Sequence, residues 1–243
     1  MDPWKLPTCV WGKVRAPQLL WEQAPAVTRP GSAVRPFYRL WSLFASRAIA
    51  LSCAYASDMA RAGQGDEWAA RAAFLTPITK AFGTDTGMSV AEMGVQVHGG
   101  MGFVEETGAA RLLRDARIAP IYEGTNGIQS NDLVFRKVLR DGGKTMTGFI
   151  AEMRDTADAL AAKPGDDATA IADNLKAGLD HLETATGWIL ENGKEPEAIA
   201  EGPQRYLAHV SAQTSLAAQA SLAAGLFGLS RSLEGGREQS RCR

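Results

Sequence analysis

Ile121-Tyr122-Glu123-Gly124-Thr125-Asn126-Gly127 sets one carboxylate in a glycine-punctuated turn, and the residues on either side of it read as helix. Gly124 leaves room for a ligand to approach the backbone. Thr125 or Asn126 can cap the next helix, whose Ile128, Leu133, Val134 and Val138 suit a buried stripe before Gly142-Gly143 stops it. Flanked by Ile121 and Tyr122, the Glu123 carboxylate is expected to be partly desolvated, which would raise its pKa and make it a better proton acceptor near neutral pH.

Upstream of the turn, an alanine-rich pattern from Leu43 to about Ala62 is helical and Gly63-Gln64-Gly65-Asp66 breaks it. A second helix is predicted from about Glu67 to His98, with Phe74, Ile78, Phe82, Met88, Met93 and Val97 on its apolar face and Pro77 as a candidate kink. Gly99 and Gly100 are expected to take the left-handed conformations that end it, and Glu105-Glu106 to open a short helix reaching about Ala116. Downstream, three more helices are predicted near 144–162, 167–191 and 196–226. No alternating strand pattern stands out. The fold class is therefore all-α, a helical bundle over 46–143 followed by a helical extension over 144–229.

The first 45 residues differ from the rest. They hold Pro3, Pro7, Pro17, Pro25, Pro30 and Pro36, and six basic against two acidic residues. Regular helix is not expected before about Arg39. This irregular leader reads as a disordered arm, as a basic aromatic arm for an anionic partner, or as sequence from a shifted frame or a gene break; residues 230–243 are expected to form an irregular tail.

The chain has 243 residues, 45% hydrophobic and 22% charged, with a formal net charge of -1. That length can bury a substantial core, and the charge balance offers no broad basic face for nucleic acid. Cys9, Cys53 and Cys242 are far apart and odd in number, so no disulfide framework or metal-ligand spacing is visible, and a reducing cytoplasm fits best. The start lacks the apolar core of a secretory signal, and no membrane span is expected.

In order along the chain stand Gln96-Val97-His98-Gly99-Gly100-Met101-Gly102-Phe103, then Arg114-Asp115-Ala116-Arg117-Ile118, then the Tyr-Glu-Gly-Thr turn. This succession closely resembles the C-terminal helical domain of the acyl-CoA dehydrogenases, most of all the long bacterial branch typified by 3-methylmercaptopropionyl-CoA dehydrogenase. The resemblance is dense from about Arg47 to Gly143 and looser to about Leu226.

The resemblance implies an FAD-dependent oxidoreductase that removes the α-proton of an acyl-CoA thioester with a glutamate while the β-carbon gives hydride to the flavin. Glu123 stands at the position of that base, with Tyr122 and Gly124 beside the substrate. Gln96, Gly99 and Gly100 stand where the family approaches the adenosine diphosphate part of FAD, usually that of a neighbouring subunit, and Thr125 and Gln129 where it contacts flavin. Gly127 departs from the glutamine that many shorter members carry near the cofactor. His98 reads as a capping or packing residue, and His181 and His209 lack companion ligand spacing. Arg114 and Asp115 read as structural ion pairs holding the Glu123 turn.

Complete family members also have an N-terminal helical domain and a β-domain over the flavin ring, and no residues here resemble either. The resemblance thus implies half a site, inactive until another polypeptide supplies the rest. An electron-transfer flavoprotein as acceptor and a homo-oligomeric state are implied in the same way. The alternative is a non-catalytic helical assembly module, with Ser211 to Leu226 offering a small-residue face for association.

Overall fold

The computed structural model describes the backbone of residues 34–193, 197, 199 and 202–239, and the side chains of 42–193, 197, 199 and 202–221. The expectations for residues 1–33 and 240–243 lie outside the described residues. Seven α-helices are described: α1 (Val34–Arg61), α2 (Asp66–Val97), α3 (Ala109–Ala116), α4 (Asn126–Asn131), α5 (Lys144–Ala161), α6 (Asp166–Asn192) and α7 (Gly202–Gln239). They form two compact units divided between Gln129 and Ser130. The all-α reading holds among the described residues, and none of their helices is long and apolar enough to cross a membrane.

In the first unit α1 packs along α2. On α1 the buried residues Ala45, Ala48, Ile49, Ser52 and Ala56 follow the i, i+3, i+4, i+7 spacing of one helix face, so they share one stripe. Most are small, which lets the backbone of α1 come close to Phe74, Leu75, Ile78 and Ala81 of α2, all buried. Each large apolar side chain so covered contributes about 1.5–3 kcal/mol relative to exposure. Phe74 and Ile78 belong to the expected apolar face; Phe82, Met88, Met93 and Val97 are half-buried.

Helix α1 begins earlier than expected, so residues 34–45 of the expected irregular leader are helical. Pro36 does not prevent this because it lies in the first turn, where backbone N–H groups have no intrahelical acceptor to lose. Likewise α7 carries helix to Gln239, through residues 230–239 of the expected irregular tail. The single short helix expected from Glu105 is split: a 3-10 turn at Glu105–Thr107 ends at Gly108, whose φ of 75° is left-handed, and α3 starts after it.

The second unit contains α5, α6 and α7, each packed on the other two. Met146, Phe149, Met153, Ala157 and Leu160 of α5, Leu175, Leu179, Leu182 and Ile189 of α6 and Tyr206, Leu207 and Val210 of α7 are buried in its core. A π-helical segment, Asp132–Val138, joins this core through buried Leu133, Val134 and Val138. Its wider winding shows in the bond from the N–H of Leu139 to the Val134 carbonyl, which spans five residues. Because these side chains belong to the second core, the division between units falls before the expected 143/144 boundary.

Small residues on α7 are already committed within this unit. Ser211, Thr214, Ser215, Ala217, Ala218 and Ala220 are buried. The described part of the Ser211 to Leu226 face is therefore covered rather than free for association, because small side chains are what allow α7 to approach its two neighbours.

Candidate active site

The turn after α3 is held by its own backbone. The N–H groups of Ile121 and Tyr122 donate to the Ile118 carbonyl, and the N–H of Asn126 donates to Pro120, closing the loop around Glu123. Glu123 has φ 51°, the one left-handed non-glycine residue among those described, and Gly124 follows with φ 88°. Two consecutive left-handed residues turn the chain sharply into α4. Thr125 caps that helix: its Oγ1 accepts the N–H of Ile128 at 3.3 Å, as an N-cap hydroxyl should.

Gln129 folds back over this turn. A Cβ on Gly124 would sit 3.0 Å from Gln129 Nε2, so Gln129 and Gly124 pack against one another. Gln129 is half-buried and Thr125 is exposed.

Glu123 itself is exposed, with Ile121 at 48% and Tyr122 at 52% of full accessibility. The expected desolvation of its carboxylate by these two neighbours is corrected: all three side chains are exposed, so neither neighbour shields the carboxylate from solvent. Ile128, expected in the buried stripe of the following helix, is also exposed, at 56%. Among the described residues no group accepts a hydrogen bond from the Glu123 N–H, which leaves that donor available.

The residue that ties this turn to the bundle is Asn126. Its Oδ1 accepts from Lys80 Nζ at 2.9 Å, and its Nδ2 donates to Asp85 Oδ1 at 2.8 Å, both on α2. Thr84 Oγ1 lies 3.2 Å from Oδ1 and 3.1 Å from Nδ2. The Asp85 carboxyl titrates above its ordinary value because it is desolvated in this cluster, with the Asn126 bond, Lys80 and Arg117 pulling the other way.

Arg114 and Asp115 do form ion pairs, but neither holds the turn. Arg114 reaches Glu105 at 2.8 Å, which holds the Glu105 carboxyl below its usual range, and Asp115 pairs with Arg111 at 3.5 Å. Both pairs are exposed and add little stability.

At the far end of α2, Gln96, Gly99 and Gly100 are all exposed. Gly99 has φ 61°, whereas Gly100 is not left-handed, so one of the two expected reversals is present. His98 is a capping residue, its Nδ1 2.8 Å from the Gly94 carbonyl. Gly102 matters for a different reason: a Cβ there would meet the Val95 carbonyl oxygen, so the chain can turn back against α2 only without a side chain.

Residues 42–137 match the family model described as acyl-CoA dehydrogenase, C-terminal domain. That stretch is an acyl-CoA dehydrogenase C-terminal domain by sequence. It is 48% identical over 151 residues to 3-methylmercaptopropionyl-CoA dehydrogenase of Ruegeria pomeroyi, covering 58% of this chain and 26% of that protein. It is 36% identical over 115 residues to butyryl-CoA dehydrogenase of Syntrophomonas wolfei, covering 46% of this chain and 19% of the relative. The chain thus spans about a quarter or less of these relatives. The crystal structure of Caenorhabditis elegans ACDH-11 in complex with C11-CoA shares the fold, with a TM-score of 0.51 and 20% identity over 76% of this chain and 30% of that one.

For an acyl-CoA dehydrogenase domain, FAD is the cofactor to test against the residues present. An exposed glycine end on α2, the Thr125 hydroxyl and the Gln129 amide are suitable donors and open backbone for it, and a Cβ at Gly99 or Gly100 would meet nothing within 4 Å. Each is accessible in the way a cofactor contact requires. The acyl-CoA dehydrogenase domain gathers no set of three His, Cys, Asp or Glu as a metal would need among the described residues.

Sequence reasoning missed the Lys80–Asn126–Asp85 cluster. Its members are far apart in sequence, and an Asn after a capping Thr carries no local sign of a distant partner. It also missed a cavity of about 460 Å³ between α6 and α7, lined by His181, Trp188, Arg205, Tyr206 and His209 among others. None of the expected site residues lines it.

Proposed function

We propose that Glu123 is the base that removes the α-proton of an acyl-CoA thioester, within an FAD-dependent acyl-CoA dehydrogenase to which this chain contributes the C-terminal helical part. The observation that carries this reading is the left-handed φ of Glu123. A side chain with a Cβ costs about 1–2 kcal/mol in that conformation, and glycine would be free of it. Retaining a carboxylate there makes sense when the carboxylate has work to do.

The chain's own groups divide the task. Glu123 accepts the proton; its N–H donates to the thioester carbonyl oxygen as negative charge develops there, lowering the barrier to proton loss. Tyr122 and Gly124 border the acyl group, Gly124 by keeping the backbone bare. Gln96, Gly99, Gly100, Thr125 and Gln129 hold FAD. When bound, FAD supplies the acceptor for the β-hydride.

An exposed base works poorly, since water competes for it and screens every charge. The exposed side chains of Met101, Phe103, Leu112, Ile118, Ile121 and Tyr122 support association with a polypeptide that covers the site and supplies its remaining walls. Alone, the chain is inactive; electrons leave the assembled enzyme to an electron-transfer flavoprotein, and the assembly is a homo-oligomer of the combined unit in the cytoplasm.

Coexpression of the full chain with the part of the Ruegeria pomeroyi relative that it does not match tests this. The purified complex is expected to reduce a dye with acyl-CoA, and Glu123→Gln to lower turnover roughly 10²–10⁴-fold with flavin content unchanged. Equal turnover by both proteins removes Glu123 from the role. The chain purified by itself is expected to be colourless; stoichiometric flavin with turnover would overturn the need for a second polypeptide.

A further inference from the structure

Among the described residues, Asn126 supplies every side-chain hydrogen bond between α2 and the loop 118–126. Its amide is bracketed by opposite charges, the Lys80 ammonium on Oδ1 and the Asp85 carboxylate on Nδ2. That pattern admits one orientation: rotated by half a turn, the amide would present N–H groups to an ammonium and oxygen to a carboxylate. Thr84 completes the cluster in either of two ways. With its single proton given to the Ala81 carbonyl at 3.2 Å it accepts from Nδ2; given to Oδ1, it helps Lys80.

The backbone on either side of Glu123 is anchored, at Tyr122 to Ile118 and at Asn126 to Pro120. Glu123 and Gly124 bridge those anchors with two left-handed residues. The direction of the Glu123 side chain therefore follows from where Asn126 is held. A first-turn helical residue needs no side chain to form α4, since the capping hydroxyl is Thr125. The reach of Asn126 across to α2 serves the placing of the turn.

On the reading of Glu123 as the base, we propose that Asn126 is its positioning residue, oriented by the opposed charges of Lys80 and Asp85. The charge order fixes which way the amide faces, and the amide fixes the turn that aims the carboxylate. Asn126 touches no reacting atom in this scheme.

Two measurements test it. In the coexpressed complex, Asn126→Ala is expected to lower turnover about 10²-fold, the scale of a 1 Å misplacement, while KM and flavin content stay within about twofold. Lys80→Glu is expected to do the same, and the double variant Lys80→Glu/Asp85→Lys to recover part of the loss because the amide can then rotate and satisfy both reversed charges. In the isolated full chain, Asn126→Ala is expected to speed hydrogen exchange at the Tyr122 and Asn126 amides about tenfold, with α5 to α7 unchanged. Full turnover by Asn126→Ala beside an inactive Glu123→Gln overturns the positioning role and leaves the base intact. Full turnover by Glu123→Gln overturns the base itself. If the complex shows no turnover, unchanged exchange at Tyr122 and Asn126 in the isolated variant overturns the positioning role; faster exchange confined to this loop supports it.

Discussion

Replacing Glu123 by glycine should make the first unit more stable while removing the carboxylate. The native φ of 51° costs a residue with a Cβ about 1–2 kcal/mol. Glycine escapes that cost but loses more backbone freedom on folding, about 0.5–1 kcal/mol. The difference leaves a net gain centred on about 0.75 kcal/mol, within about 0–1.5, best measured against Glu123→Ala, which removes the same carboxylate but keeps the Cβ. Glu123 is exposed, so neither substitution opens a cavity. Urea unfolding followed by circular dichroism, with the slope unchanged between variants, reads the difference directly. Glu123→Asn, which tolerates the left-handed region, should fall between the two. If Glu123→Gly is no more stable than Glu123→Ala, the turn is not left-handed at this residue and the strain argument for its function is refuted.

Gly102→Ala places a Cβ against the Val95 carbonyl, backbone that cannot swing aside, and should cost about 1–3 kcal/mol in the same unfolding assay. Tyr206 donates to Thr186 Oγ1 at 2.8 Å, since the Thr186 proton goes to the Leu182 carbonyl; Tyr206→Phe should therefore destabilise the second unit by about 0.5–1.5 kcal/mol. Burial raises the Asp85 pKa, so the native state holds that proton more tightly than the unfolded chain. Its contribution to stability is greatest below the unfolded value and falls as pH rises through the native one. Asp85→Asn should remove that fall, seen as stability relative to the parent increasing with pH across this window; a parallel pair of pH profiles would contradict it.

Much of the architecture was legible because it rests on periodicity. The recurrence of Leu175, Leu179 and Leu182 at four and three residues, with Ile189 seven further on, makes α6 an apolar stripe whatever its partners are, and Gly142-Gly143 and the Lys163-to-Asp166 break punctuate the chain on local grounds. The start of α1 was misread because proline disfavours helix interiors but not first turns, and which of these Pro36 occupies is not a property of its neighbours alone. At the candidate site, the turn that carries Glu123 and Gly124 was legible from its spelling, and the capping role of Thr125 follows from its hydroxyl. The exposure of Ile121, Tyr122 and Ile128 was not legible, since burial depends on what packs above a residue rather than on its own hydrophobicity.

By itself the sequence determined most of the helices, their glycine stops, and the domain family to which the Tyr-Glu-Gly-Thr turn belongs, because these depend on residues within a few positions of one another. Tertiary structure alone decided that Leu133, Val134 and Val138 serve the second core, that the small face of α7 is already covered, and that Asn126 lies between Lys80 and Asp85. These depend on contacts between residues distant along the chain, and a hydrogen bond of 2.9 Å exists only once packing has brought its two groups together.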